Sequence, residues 1–183
     1  METETKKDYH LIEDNLLKEL AHGIDVSNLA YKVAKQLALP EDMCYNLAVI
    51  GMVHDAGKQE MIKNMYRKHG KDTLRVEEMK YIRTHPALGY MILKDQGFPE
   101  EQAKWVLYHH ENYDGTGYPA NKAGEEIPLG ARILRVCDVF CALTTERTYR
   151  KSYSREEALK LMIEEVKNFD INVFLALLQV VNE

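Results

Sequence analysis

Histidine and aspartate residues recur along this chain in a pattern that suits metal-dependent hydrolysis. In chain order they are His22, the pair His54 and Asp55, His85, the pair His109 and His110, and Asp138. Five of the seven histidines of the chain belong to this series. Imidazole and carboxylate ligands suit first-row transition metals, and the carboxylate of a His-Asp pair can bridge from one ion to a second. The series therefore predicts a two-metal hydrolase.

Length and composition indicate one domain with its own core. The chain has 183 residues, of which 45% are hydrophobic and 29% are charged, and a single domain commonly has about 100–200 residues. The formal net charge of -5 argues against broad electrostatic binding to duplex nucleic acid or to a membrane surface, which requires a basic face. A phosphate-bearing ligand must therefore be bound by local cations.

The first residues of the chain, its apolar stretches and its cysteines predict the cellular compartment of the protein. Residues 1–9 are polar and charged and predict a tail, which leaves 10–183 as the domain. No stretch approaches the roughly 20 apolar residues of a membrane span, and the first residues lack the apolar segment of a signal peptide. The three cysteines lie among apolar neighbours and predict reduced, buried thiols. We therefore expect a cytoplasmic protein.

Hydrophobic spacing and breaker residues predict a largely helical chain. The expected helices cover residues 25–37, 41–54, 76–83, 86–96, 99–110, 132–143, 155–168 and 171–181. Most candidate ligands fall near the end of a helix, where several helices can converge on one site. Asp138 instead lies inside an apolar helix, and a buried carboxylate needs a partner, for which a metal ion is the simplest choice.

Two further segments predict loops. Residues 59–73 are polar, and we expect them to form a loop with one helical turn at most. Residues 112–130 contain four glycines and two prolines, too many helix breakers for regular structure. Long irregular segments in compact domains often carry function, so this second segment is a candidate functional loop.

Several motifs in a fixed order resemble the HD-GYP branch of the HD-domain phosphohydrolases. They are HDAGK at 54–58, THPALG at 84–89, HHENYDGTGYP at 109–119 and ALTTERTYR at 142–150. A lone His-Asp pair is weak evidence of a family, whereas several long motifs in order are strong evidence. The resemblance extends from about residue 22 to residue 170.

The resemblance implies an all-α fold, a single-domain helical bundle with a metal site in its centre. It further implies two divalent metal ions, most commonly iron or manganese. By likeness, His22, His54, Asp55 and Asp138 would hold one ion, and Asp55 would bridge to a second ion that His85, His109 and His110 complete. The implied activity is hydrolysis of the bacterial second messenger cyclic di-GMP to pGpG and onward to GMP, by attack of a hydroxide formed from metal-activated water.

Four other residues are candidate substrate contacts. The motif places Lys58 one turn beyond Asp55, where its ammonium group would reach a phosphate oxygen, so we count Lys58 and Asp55 as the catalytic pair. Arg147 and Arg150 suit the second phosphate of a cyclic dinucleotide, because guanidinium groups bind phosphate with two parallel hydrogen bonds; the alternative is solvated surface arginines. Tyr118 would stack on a guanine or hold its loop against the bundle, and the sequence leaves both open.

The chain departs from the pattern of its relatives at a few positions. Some members carry a glutamate one turn before the first histidine and use it for a third metal, but this position is Lys18, which favours a dinuclear centre. Cys141 stands where aspartate is common, and Thr148 replaces a common proline. None of these changes removes a predicted ligand, so they bear on substrate preference and rate.

Three functional alternatives follow from the sequence. The first is an active cyclic di-GMP phosphodiesterase. The second is a binding or regulatory module of low activity that docks a diguanylate cyclase, a GGDEF protein, through the loop at 117–119. The third is a hydrolase for another nucleotide, such as cyclic GMP-AMP. The intact ligand set and Lys58 favour an enzyme. The oligomeric state is left open.

Overall fold

The computed structural model describes residues 2–58, 60–61, 82–146 and 151–182, with side chains from residue 17 onward. The described residues form seven α-helices, two short 3-10 turns at Gly124–Glu126 and Val166–Asn168, and no β-strand. The helices are α1 (Glu2–Gln36), α2 (Glu41–Val53), α3 (His85–Asp95), α4 (Glu100–Tyr108), α5 (Leu129–Thr144), α6 (Arg155–Glu164) and α7 (Ile171–Asn182). The prediction of an all-α fold is confirmed.

Helix α5 is the centre of the bundle. It packs against α1, α2, α4, α6 and α7, and most of its length is buried because apolar residues occupy nearly every side of it. The helix begins directly after Pro128, where a proline costs no hydrogen bond. A helix surrounded by others in this way places Asp138 among the ends of its neighbours.

Helices α1 and α2 approach each other closely where each contributes a histidine. A side chain at Gly23 would place its Cβ 2.6 Å from the carbonyl oxygen of Met52, a distance that no Cβ tolerates. Glycine at this position therefore lets the two backbones meet. As a result the rings of His22 and His54 lie 5.4 Å apart.

The helix bounds agree with the sequence predictions in most places. Helices α2, α3, α4 and α7 begin and end within two residues of the predicted bounds. Helix α1 is longer than predicted, because it begins at Glu2 and includes the polar residues that we assigned to a tail. The predicted helix at 155–168 instead ends at Glu164 and is followed by a 3-10 turn. Most of the predicted helix at 76–83 and of the loop at 59–73 lies outside the described residues, and the domain bounds stay a prediction.

The cysteines and the hydropathy of the helices add two observations. Cys44, Cys137 and Cys141 are all buried and free, so the prediction of buried thiols is confirmed. Along the described ranges, none of the helices has both the length and the apolar composition needed to cross a bilayer.

Candidate metal centre

The seven candidate ligands lie together in the middle of the bundle, in two adjoining groups. His22, His54 and Asp138 form one group, and Asp55, His85, His109 and His110 form the other. Within each group the potential ligand atoms all lie within 4.8 Å of one another. Residues from three helices (α1, α3 and α5) and from the segments that follow two others (α2 and α4) thus meet at one place. This is the grouping that the resemblance implies.

Backbone carbonyl groups orient three of the imidazole rings. Nδ1 of His54 lies 2.7 Å from the carbonyl oxygen of Gly51, and Nδ1 of His109 lies 2.6 Å from that of Val106. Both carbonyls are near the end of a helix, where they lack an intrahelical partner. A carbonyl oxygen only accepts, so each Nδ1 must donate, and the neutral ring then presents the lone pair of Nε2 to the site.

The same arrangement at His85 brings lone pairs face to face. Nδ1 of His85 donates to the carbonyl oxygen of Ile82 at 2.8 Å, so Nε2 of its neutral ring is an acceptor. This atom lies 3.4 Å from Nε2 of His109 and 3.1 Å from Oδ1 of Asp55. Burial lowers the pKa of His109 to about 3, and the charge of His54 acts in the same direction. When both rings are neutral, Nε2 of His85 and Nε2 of His109 therefore turn lone pairs toward Oδ1 of Asp55, an arrangement that a cation stabilises. Nε2 of His110 lies 3.2 Å from Nε2 of His85 as well.

Asp55 lies between the two groups. Its Oδ1 faces His85, and its Oδ2 lies 3.5 Å from Nε2 of His54. Burial by itself raises the pKa of this carboxyl group, but the neighbouring charges of His54 and Lys58 hold it well below its usual range. A carboxylate that turns one oxygen to each group has the position of a bridging ligand.

Asp138 completes the first group. Its Oδ1 lies 2.9 Å from Nε2 of His22 and 3.7 Å from Nε2 of His54. Burial favours a neutral carboxyl group, but the hydrogen bond from His22 and the charge of His54 keep the pKa of Asp138 well below its usual range. For His54, burial alone lowers the pKa, yet the charges of Asp55 and Asp138 raise it to about 9. The two carboxylates thus create a strongly negative environment that favours a cation.

These observations test whether the donor set fits metal ions. Nε2 of His54, Oδ1 of Asp55 and Nδ1 of His22 are buried without any hydrogen-bond partner, and a buried polar atom normally has one. Metal ligands are the residues for which this pattern is expected, since the lone pair is reserved for the ion. The site is therefore a His/Asp cluster that could bind metal ions.

Lys58 lies beside the cluster, as the motif predicted. Its Nζ is 2.6 Å from Oδ2 of Asp55, and about a quarter of its side chain is exposed. Burial opposes the charged form of the amine, but Asp55 and Asp138 raise its pKa above the usual value. The ammonium group therefore stays charged at the edge of the site, where a phosphate oxygen could reach it.

The loop after α4 folds back on the cluster. The ring of Tyr118 stacks on that of His110, with centroids 4.9 Å apart and an interplanar angle of 23°. Glu111 is 1% exposed, and its Oε1 accepts a hydrogen bond of 2.6 Å from the backbone N–H of Ala120. This hydrogen bond ties the loop to the end of α4. Asp114 accepts hydrogen bonds from the backbone N–H and the hydroxyl group of Thr116.

Some predicted contacts lie outside the described residues, and two arginines were not predicted. The residues outside the described ranges are the predicted contacts Arg147 and Arg150, and with them Thr148. The missed residues are Arg83, whose Cζ lies 4.9 Å from the ring centroid of Tyr118, and Arg135, which is three residues before Asp138 on α5. The signal for Arg135 was a cation one turn before Asp138 in a largely apolar helix. Arg83 lies two residues before His85, and no pattern in the sequence marks it.

Comparison with known proteins identifies the family. A family model described as HD domain matches residues 7–173. The chain belongs to the HD domain family. This HD domain is 37% identical over 161 residues to a cyclic di-GMP phosphodiesterase of Pseudomonas aeruginosa, a match that covers 87% of the chain and 38% of the relative.

Two further matches bear on the fold and the ligand class of the HD domain. A 3'3'-cGAMP-specific phosphodiesterase of Vibrio cholerae is 36% identical over 155 residues, which cover 84% of the chain and 36% of the relative. The HD domain thus spans well under half the length of these curated relatives. Among solved structures, an HDG"Y"P protein from Bdellovibrio bacteriovorus superposes with a TM-score of 0.70 at 20% identity, covering 90% of the chain and 53% of that protein. The structural likeness supports the fold, and the names of the relatives agree with the resemblance found in the sequence.

Proposed function

We propose that this protein is a metal-dependent phosphodiesterase that hydrolyses cyclic di-GMP to pGpG and onward to GMP. The observation that supports this most is the convergence of ligand atoms around Nε2 of His85, an arrangement that a cation stabilises. The relatives named cyclic di-GMP phosphodiesterases support the choice of substrate. We propose all seven residues of the two groups as metal ligands.

Iron or manganese is the proposed metal, because a set of five imidazoles and two carboxylates suits both. Two such ions supply Lewis-acid polarisation of a phosphate oxygen and lower the pKa of a water molecule enough for attack at neutral pH. The role of the chain is to hold the ligand atoms in place. Asp55 turns one oxygen to each group, and the carbonyl of Gly51 fixes the ring of His54.

The chain also supplies groups that bind the substrate. In the proposal Lys58 leaves Asp55 to contact a non-bridging phosphate oxygen and stabilises the charge that builds there during in-line attack. Tyr118 remains the proposed contact of a guanine. Arg147 and Arg150 remain the predicted contacts of the second phosphate.

The location and partners of the protein are part of the proposal. We place it in the cytoplasm, which three free, buried cysteines support because thiols persist in a reducing compartment. A diguanylate cyclase docked at the loop that carries Tyr118 is the proposed partner if the protein acts as a regulator. Cyclic GMP-AMP is the second candidate substrate, favoured by the similarity to a cGAMP-specific phosphodiesterase.

An anaerobic activity assay tests this function. Protein loaded with Fe(II) or Mn(II) is incubated with cyclic di-GMP or 3'3'-cyclic GMP-AMP, and the products are separated by chromatography. Asp55→Ala removes the proposed bridging ligand, whereas Asp95→Ala removes an exposed carboxylate at the end of α3 and is the matched control. We expect release of pGpG or GMP that falls more than a hundredfold in Asp55→Ala and stays unchanged in Asp95→Ala.

The other outcomes separate the alternatives. Tight binding of cyclic di-GMP without any product would contradict the proposed enzymatic activity and favour the regulatory module. Hydrolysis of cyclic GMP-AMP alone would contradict cyclic di-GMP as the substrate but would support the proposed phosphodiesterase reaction.

A further inference from the structure

Tyr118 connects the metal centre to an arginine at its rim. One contact of its ring is the stack on His110, a candidate ligand, and another is the guanidinium group of Arg83, with Cζ 4.9 Å from the ring centroid. Arg83 is an exposed residue two positions before His85. The arginine is therefore held beside the site by an aromatic ring and not by an acidic residue.

Arg135 brings a second positive charge to the same region. It lies one turn before Asp138 on α5, and its Nη2 donates a hydrogen bond of 2.8 Å to Oδ1 of Asn112, at the start of the loop that carries Tyr118. Its Nε is buried and has no hydrogen-bond partner. Burial lowers the pKa of Arg135, which the nearby Asp138 and Tyr118 oppose. An arginine keeps its charge even so.

Neither arginine forms an ion pair with a carboxylate that the structure describes. Across the described ranges, no carboxylate pairs with Arg83 or Arg135, whereas Arg132, also on α5, binds Asp170 at 2.6 Å. A largely buried guanidinium without a counter-ion is costly to the folded protein. Such a charge is expected where a ligand supplies the missing anion, because phosphate oxygens match the donor fork of arginine.

We propose that Arg83 and Arg135, together with Tyr118, form an anion subsite that binds the phosphate of a cyclic dinucleotide lying away from the metal centre. This inference rests on the proposed function, because it assumes that the other phosphate lies at the metals. Two positive groups without carboxylate partners favour a phosphate over a nucleobase, which is neutral and would leave both charges uncompensated. Arg147 and Arg150 are separate residues and are not needed for the argument.

Two substrates with different numbers of phosphates test the subsite. Cyclic di-GMP has two phosphates, and bis(p-nitrophenyl) phosphate has one, which would occupy the metal centre. With Mn(II)-loaded protein, we expect Arg83→Ala and Arg135→Gln each to lower kcat/KM for cyclic di-GMP about ten- to hundredfold, as for the loss of a charge-assisted hydrogen bond. The value for bis(p-nitrophenyl) phosphate should stay within about twofold. Arg155→Ala, at an exposed position on α6, is the matched control and should change neither value.

A second comparison separates charge from loop positioning. Glutamine at position 135 keeps a donor for Asn112 but loses the charge, whereas Asn112→Ala removes the hydrogen bond and keeps the charge. The proposal predicts a large loss in Arg135→Gln and a small one in Asn112→Ala. The reverse order would overturn the role of Arg135 as a phosphate contact. The thermal midpoint of each variant reports whether the bundle is still folded.

Two further results decide the proposal: how the loss of activity depends on the base of the substrate, and what the variants bind if the protein hydrolyses nothing. A phosphate contact is indifferent to the base, so the loss should be equal for cyclic di-GMP and 3'3'-cyclic GMP-AMP; a loss confined to one of them would overturn the proposal. Equal losses with bis(p-nitrophenyl) phosphate would overturn it as well. If the unmodified protein hydrolyses nothing, the proposed function fails. In that case the dissociation constant for cyclic di-GMP decides the subsite: at least tenfold weaker binding in both arginine variants supports it, and unchanged binding overturns it.

Discussion

At the scale of single residues, the structure shows how the histidine rings are oriented, which residue types alone do not specify. The sequence predicted which histidines belong to the site, but it could not predict that the Nδ1 atoms of His54, His85 and His109 each bind a carbonyl three residues earlier. That hydrogen bond depends on the local backbone at a helix end, which residue types do not specify. Arg135 was missed for a related reason, since only the packed bundle shows that it lacks a carboxylate partner.

Glu111 gives a prediction at this scale. Its carboxylate is buried and holds the loop through the N–H of Ala120, so Glu111→Ala should lower the free energy of unfolding by about 1–3 kcal/mol. It should also lower kcat/KM, because Tyr118 loses its fixed position on His110. Denaturant unfolding and steady-state kinetics measure the two effects. Glu111→Gln keeps an acceptor for Ala120 and should be milder; equal losses in both variants would contradict the role of this hydrogen bond.

At the scale of helices, the site depends on how helix ends meet. The sequence predicted most helix bounds because prolines and apolar spacing mark them, as at Pro40, Pro99 and Pro128. It could not predict which ends touch. The turn after α2 lies directly against the start of α3, where a Cβ at Gly57 would clash with the carbonyl oxygen of His85. This contact joins the two groups of candidate ligands.

The variant Gly57→Ala tests this contact. The added methyl group must push α3 away from α2, so we expect the free energy of unfolding to fall by about 1–3 kcal/mol, as for other overpacked interiors. The protein should also bind less than two metal ions per chain, since His85 moves away from Asp55. Metal analysis of the purified variant and denaturant unfolding provide the measurements. Ala87→Ser, at an exposed position on the first turn of α3, is the control; normal metal content in Gly57→Ala would refute the prediction.

At the scale of the whole molecule, the bundle brings several positive charges to one place, which the net charge of the chain does not predict. The net charge of -5 argues against a basic binding face. Three cations nonetheless lie near the hydroxyl group of Tyr118: burial raises the pKa of this group to about 12, and the charges of Lys58, Arg135 and Arg83 oppose that rise. The resemblance predicted a helical bundle around a metal site, and the family and the fold are confirmed. The central position of α5 follows from packing against five other helices, which single helical patterns do not specify.

Metal binding should therefore stabilise the whole fold. A ligand present at a hundredfold excess over its dissociation constant adds about 2.7 kcal/mol to the free energy of unfolding. In a chain of this length we expect Mn(II) to raise the thermal midpoint by about 5–10 °C, and a chelator to reverse the change. Differential scanning calorimetry at fixed protein concentration measures the shift. Asp55→Ala should show less than half of it, and an unmodified protein that shows no shift at all would contradict a metal site in the bundle.

The carbonyl-bound imidazoles also have a kinetic consequence. A ligand ring releases its ion most readily by rotating away, but His54, His85 and His109 must each first break a hydrogen bond to their own backbone. Exchange of bound ions with the solution is then slow. The metal found after purification would record which ions were available while the chain folded, and it would not rank the intrinsic affinities of the site. Refolding in the presence of a chosen ion is consequently the way to assign the working metal.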